Sequence, residues 1–219
     1  MNRLLFEKTG KAIYISHLDT MAMFPRIFLR AGLHVKFTRG MSPHAYVSIA
    51  LPLSVGTSSC CELLDFTLEE DNVPLETLPA RLNPYFPAGI RVLSAYDSDR
   101  KIKELRYLRC TVTLEYDQGI SDDGCREIEA LFRQDQILVE KKTKKGLAET
   151  DIRRMIESVH VSRISSGELA LESLICAQNP SLNPQLLVGA IERYLPELAP
   201  DFAKAHRTEV FDESFQVFR

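Results

Sequence analysis

The alternation of apolar and polar positions predicts short strands interrupted by four helices. The apolar stretch from Arg3 to Ile15 predicts a strand or a hairpin turning at Thr9-Gly10-Lys11. Ser16 opens a helix that runs to Ala31 and stops at Gly32, with Asp19 at capping-box spacing. Leu18, Met21, Ala22, Phe24, Ile27, Phe28 and Leu29 make most of that helix apolar, so it is expected to be largely buried. Pro25 should kink or split it, because proline lacks the N–H and its ring clashes with the preceding turn. Strands are then expected at 33–38, 46–53, 61–68 and 89–96, with a helix from Leu75 to Asn83.

After the polar stretch 97–104, which reads as a linker, Leu108, Cys110, Val112, Leu114 and Tyr116 alternate cleanly as one strand face. Ser121 opens a third helix, and Leu186 to Leu195 has the spacing of a fourth. Strands are expected at 137–142, 169–177 and 207–211. Each half reads β-α-β, an insertion, then β-α-β. The expectation is therefore an α+β protein of two tandem ferredoxin-like (βαββαβ) domains with inserted strands and loops, at 1–98 and 104–219. That fold hosts many functions and selects none.

Composition narrows the class. A chain with 45% hydrophobic and 26% charged residues is ordinary for a globular protein. No apolar run nears the roughly 20 residues of a membrane span, and a charge arrives too early for a signal-peptide core, so a cytoplasmic location is the default. Five cysteines without C-x-x-C spacing point to no disulfide framework, zinc ribbon or iron–sulfur site. Charge is uneven. Residues 1–55 hold seven Lys/Arg against Glu7 and Asp19, a net of +5, so the remainder carries −8 of the overall −3. Such asymmetry points to an anionic partner for the basic part.

Candidate chemistry follows the charge. Asp19, Arg26 and Arg30 share one face of the first helix. Arg26 and Arg30 either present two guanidinium forks to phosphate or pair with Glu62 or Asp65. His17 stands at the helix N-terminus, where free N–H groups favour an anion. The Arg39-Gly40-Met41-Ser42-Pro43-His44 loop combines a permissive glycine, a stiff proline and polar side chains. A second basic run contains Lys141, Lys142, Lys144 and Lys145, followed by Arg153 and Arg154, and suits a nucleic-acid backbone. Phe37, Tyr46, Tyr14 and Tyr107 are the aromatics available to stack on bases if exposed. No nucleophile elbow, metalloprotease helix, dinucleotide fingerprint or Walker loop occurs.

Ser16-His17-Leu18-Asp19, Arg26, Arg30-Ala31-Gly32-Leu33, Gly40, Pro43-His44, Ser48, Leu51-Pro52-Leu53 and Gly56 together resemble the radical-SAM-linked (radical-SAM-associated) proteins, a bacterial family of unknown function. Lys142-Thr143-Lys144-Lys145-Gly146, Asp151-Ile152-Arg153 and Arg207-Thr208 follow in the order of that family. The resemblance implies a radical SAM partner, often cobalamin-binding, and a shared RNA object, ribosomal RNA or tRNA. The iron–sulfur cluster, SAM and any cobalamin would then belong to the partner. The leading expectation is an RNA-binding or substrate-presenting accessory protein that uses Arg26, Arg30, Lys36, Arg39, Lys141, Lys142, Lys144, Lys145 and Arg153. Two alternatives stand beside it: an enzyme with His17 and His44 as acid and base, and a protein–protein adaptor.

Overall fold

A computed structural model describes residues 1–70, 72–143 and 146–219, with Lys142 and Thr143 described by their backbone alone. The chain is α+β with a mostly sheet core, and it divides into two units, 1–104 with Arg219, and 105–218.

In the first unit, β1 (Asn2–Lys8), α1 (His17–Arg30), β2 (Val47–Ile49), β3 (Ser58–Phe66), α2 (Leu78–Leu82) and β4 (Ile90–Asp97) follow in order. The strands lie β4-β1-β3-β2, every neighbouring pair antiparallel. One face of this sheet packs on α1 and α2. Phe24 meets Phe6 and Phe86 edge to face at 5.1 and 5.2 Å, and Phe28 lies 5.0 Å from Phe66. Leu4, Ile27, Leu64, Leu78 and Leu82 close the core around these rings.

The helix begins where its cap dictates. Ser16 Oγ accepts the Asp19 N–H at 3.1 Å and its hydroxyl donates to the Asp19 carboxylate at 2.7 Å. It ends in a left-handed Gly32 (φ +68°), with the Leu33 N–H returning to Phe28 O, and Arg81 donates to the Ala31 carbonyl. Pro25 neither kinks the helix into two elements nor ends it, because tight packing of Phe24, Ile27 and Phe28 offsets the one missing hydrogen bond. Burial is one-sided, against expectation. Leu18, Ala22 and Leu29 stand exposed on the face turned away from the sheet, beside Arg26 and Arg30.

Other expectations shift as well. The chain does turn at Gly10, but into a 3-10 helix (Gly10–Tyr14) and not a returning strand. Residues 33–38 make single bridges, Val35 to Leu68 and Phe37 to Ala45, and the 46–53 strand shrinks to β2.

In the second unit, β5 (Leu105–Glu115), α3 (Asp122–Leu131), β6 (Leu138–Thr143), β7 (Gly146–Asp151), β8 (Ile156–Ser165), β9 (Glu168–Cys176), α4 (Gln185–Tyr194) and β10 (Phe202–Asp212) follow. Its main sheet runs β10-β5-β9-β8, antiparallel throughout, and β6 and β7 form a separate hairpin. Ser121 caps α3 by accepting the Gly124 N–H at 3.0 Å. No helix among the described residues is long and apolar enough to cross a membrane.

Candidate nucleic-acid interface

The four cations singled out in the first unit all reach solvent. Arg26 and Arg30 stand one turn apart on the outer face of α1, and Lys36 and Arg39 are exposed on the segment that follows. Among the described residues the side chains of these four have no hydrogen-bond or ion-pair partner. The two carboxylates that might have neutralised them are committed elsewhere. Asp65 holds Arg3 bidentately, and Glu62 lies 3% exposed with Phe6 opposite it across the sheet.

Residues 36–46 form a small hairpin that presents two of these cations. Thr38 N–H donates to His44 O and Tyr46 N–H to Lys36 O, each at 2.8 Å, on either side of the Phe37–Ala45 bridge. Gly40 (φ +135°) and Pro43 fall in its tip, where a left-handed residue and a stiff exit are needed. Phe37 and Tyr46 are both 52% exposed and interleave with Lys36 and Arg39. Cations alternating with open aromatic rings suit a nucleic-acid strand, whose phosphates and bases they meet in turn. Of the other aromatics singled out in the sequence, Tyr14 is also exposed, whereas Tyr107 is stacked on Phe215 at 4.6 Å.

The histidines do not converge. His17 lines a narrow cavity with Lys8, Thr20 and Glu62. His44 lines a different depression, and its Nδ1 lies 3.1 Å from Thr38 Oγ1. Ser16 and Asp19 are accounted for by the helix cap.

The cavity beside His17 holds charges that a reading of the sequence passes over. Lys8 is 2% exposed, and its ammonium donates to Ile15 O at 2.6 Å and more loosely to Ile13 O. Burial pulls its pKa below the usual lysine range, and the negative Glu62 partly opposes that shift. By gripping two carbonyls just ahead of Ser16, Lys8 ties the 3-10 helix to the start of α1. One signal was present in the sequence: Lys8 is in phase with Leu4 and Phe6, as Glu62 is with Leu64 and Phe66, so both belong to core-facing sets.

The second basic run is less free. Lys141 donates to the Ser181 carbonyl at 2.7 Å, and Arg153 to the Ile156 carbonyl at 2.8 Å. The Lys142 side chain, with Lys144 and Lys145, lies outside the described residues. Between the β6–β7 hairpin and α4, a groove of about 500 Å³ carries Glu140, Glu149 and Glu192, of which Glu149 pairs with Arg193 at 2.6 Å. The surroundings of this run are thus of mixed sign. Among the described residues no three His, Cys, Asp or Glu side chains gather as a metal site.

Comparison with known proteins adds a fold and a family. No curated protein matches the chain. A crystal structure of a Cbf5-Nop10-Gar1 complex resembles it with a TM-score of 0.50 at 11% identity, covering 97% of this chain. The chain spans 50% of that longer one, and at this identity the likeness is of fold alone. Residues 2–184 match the profile described as an uncharacterized protein conserved in bacteria, DUF2344, and the chain belongs to that family.

Proposed function

We propose that this protein binds RNA and presents it to a separate enzyme, having no catalytic centre of its own. The observation that carries the reading is the set of four partnerless cations, Arg26, Arg30, Lys36 and Arg39, set among open aromatics on one unit. Exposed cations with no internal partner leave their charge for an external anion, and a row of them tracks a phosphate backbone. The resemblance to radical-SAM-linked proteins supplies the partner in this reading: a cytoplasmic radical SAM enzyme acting on ribosomal RNA or tRNA, which would hold the cluster, SAM and any cobalamin.

The fold reading belongs to the same proposal. Each unit is taken as a ferredoxin-like domain, the second with the β6–β7 hairpin inserted. The strand orders β4-β1-β3-β2 and β10-β5-β9-β8, both antiparallel, support this, as does the β-α-β-β-α-β sequence of elements.

The test is fluorescence anisotropy with a labelled single-stranded RNA across salt concentrations. Binding should weaken as salt rises. The variant Arg26→Ala/Arg30→Ala/Lys36→Ala/Arg39→Ala should flatten the log–log slope by about 3, at roughly 0.7 per phosphate contact on a single strand. Absence of binding even at low salt, or a slope the variant leaves unchanged, refutes the reading. Co-purification with the radical SAM enzyme, with and without RNA, tests the partner.

A further inference from the structure

The exposed face of β2 carries a depression that the cations do not fill. Along residues 44–49, Ala45, Val47 and Ile49 pack on the core of the first unit, while His44, Tyr46 and Ser48 face away from it. The register sets Asp65 opposite Ser48, and Thr67 donates its N–H to Tyr46 O, so β3 continues the same surface. Thr38, paired with His44 across the hairpin, completes it. These six residues are among those that line a depression of about 350 Å³, within the roughly 300–1,000 Å³ of small-molecule clefts.

Its chemistry is neutral and planar-seeking. Tyr46 is half exposed, and the Ser48 and Thr67 hydroxyls stand on the wall. Thr38 Oγ1 accepts the His44 backbone N–H at 3.0 Å and lies 3.1 Å from Nδ1, which is also 3.4 Å from Ser42 O. The imidazole is therefore held by Nδ1, and among the described residues Nε2 has no partner. Two charged residues line it: Asp65 is neutralised by Arg3, whose Nε is 2.6 Å away, and the Met1 ammonium lies 3.9 Å from Asp97 and donates to Ser98 O. No lysine or arginine lines this wall to hold a phosphate, and Ala45, Val47 and Phe66 add apolar surface beside its polar groups. It matches an aromatic ring with a hydrogen-bonding edge.

We propose that this depression receives one unpaired nucleobase, stacked on Tyr46 and hydrogen-bonded by His44 Nε2 and the Ser48 and Thr67 hydroxyls. The inference rests on the RNA-binding reading for its natural ligand, though not for its chemistry. Lys36 and Arg39 on the same hairpin would then meet the flanking phosphates.

The experiment is an NMR titration of the full chain with AMP and UMP, using ribose 5-phosphate as the base-free control. The His44 and Tyr46 ring resonances should shift with the mononucleotides and stay unmoved with the sugar phosphate. Tyr46→Ala should weaken binding about 5- to 150-fold, the worth of one base–aromatic stack, and Tyr46→Phe should preserve it. Equal shifts with ribose 5-phosphate, no shift with either ligand, or undiminished affinity in Tyr46→Ala overturns the proposal. Its fate separates from that of RNA binding. Base-dependent shifts without RNA affinity support the pocket and sink the RNA reading, whereas salt-sensitive RNA binding without base-dependent shifts does the reverse.

Discussion

Removing the charge of Asp65 is the perturbation to which the first unit should respond most sharply. Arg3 is 0% exposed, yet every nitrogen of its guanidinium is engaged. Nε and Nη2 reach Asp65 at 2.6 and 3.1 Å, Nη1 reaches Ser98 Oγ at 3.0 Å, and Nη2 also reaches Arg100 O at 2.8 Å. The pair joins directly opposed residues of β1 and β3. Asp65→Asn keeps the shape and one acceptor but strands a cation away from water. Loss of one partner of a buried pair costs about 3–5 kcal/mol, in line with about 4 kcal/mol for unit charges 4 Å apart at an effective dielectric constant of 20. Arg3→Met should cost a similar amount by stranding the carboxylate. Arg3→Met/Asp65→Asn leaves no bare charge, so it should fall short of the sum of the two by about 2 kcal/mol or more. Urea unfolding of the four proteins measures this, with unchanged m-values as the condition for comparing midpoints. Arg133→Gln is the control: its pair with Glu129 is exposed on the arginine side and should be worth under about 1 kcal/mol. A loss within about 1 kcal/mol for Asp65→Asn, or additivity in the double variant, refutes the reasoning.

Three further outcomes follow from local geometry. Gly89→Ala should cost more than about 2 kcal/mol in thermal or urea unfolding, since φ is +93° and a Cβ would sit 2.2 Å from the Thr9 carbonyl oxygen; a near-wild-type midpoint would contradict it. Asp151 accepts the Ile137 and Arg153 N–H groups at 3.0 Å each, and these bonds hold its pKa below the usual aspartate range. Because the folded pKa is the depressed one, its contribution is present above the unfolded value and lost as pH falls through the folded value. The Ile137 and Arg153 amide shifts should therefore move in strong acid and hold steady in Asp151→Asn. Burial pushes the Cys110 thiol up to about 11, so thiol labelling of the native protein near pH 8 should spare Cys110 while the half-buried Cys60 and Cys125 react. Equal labelling rates would show that the strand opens or that the thiol is not buried.

Legibility in the sequence tracked how far one local rule governed each segment. α1 could be bounded to within one residue because Ser16 and Gly32 act at its two ends through their own backbone neighbours. β5 was equally plain, with Leu108, Cys110, Val112 and Leu114 all buried on one side. β7 and β8 were not foreseen. β7 has no buried side chain among its described residues, so no apolar period marks it. β8 is broken by register shifts between Ile156 and Ser158 and between Arg163 and Ser165, which put its alternation out of phase. The same logic applies to the interface. Arg26, Arg30 and Arg39 stood out as charges among apolar residues, and they are exposed. The role of Arg3 depends on partners 62 to 97 residues away, which no short window contains, and that of Lys8 on a burial its charge does not announce.

That division of charge limits how strongly residues 1–55 can hold an anion. The net +5 of residues 1–55 counts Arg3 and Lys8, but both are buried and occupied by the fold, Arg3 by Asp65 and Lys8 by two carbonyls. Lys11, Arg26, Arg30, Lys36 and Arg39 remain exposed. Five cations on single-stranded RNA give a log–log salt slope no steeper than about −3.5. A measured slope within that bound requires no cation beyond residues 1–55. A steeper slope requires cations from elsewhere, and Lys141→Ala/Lys142→Ala/Lys144→Ala/Lys145→Ala should then remove the excess. If that variant leaves a steep slope in place, neither basic run accounts for the contact, and the partition of charge argued from Arg3 and Lys8 is wrong.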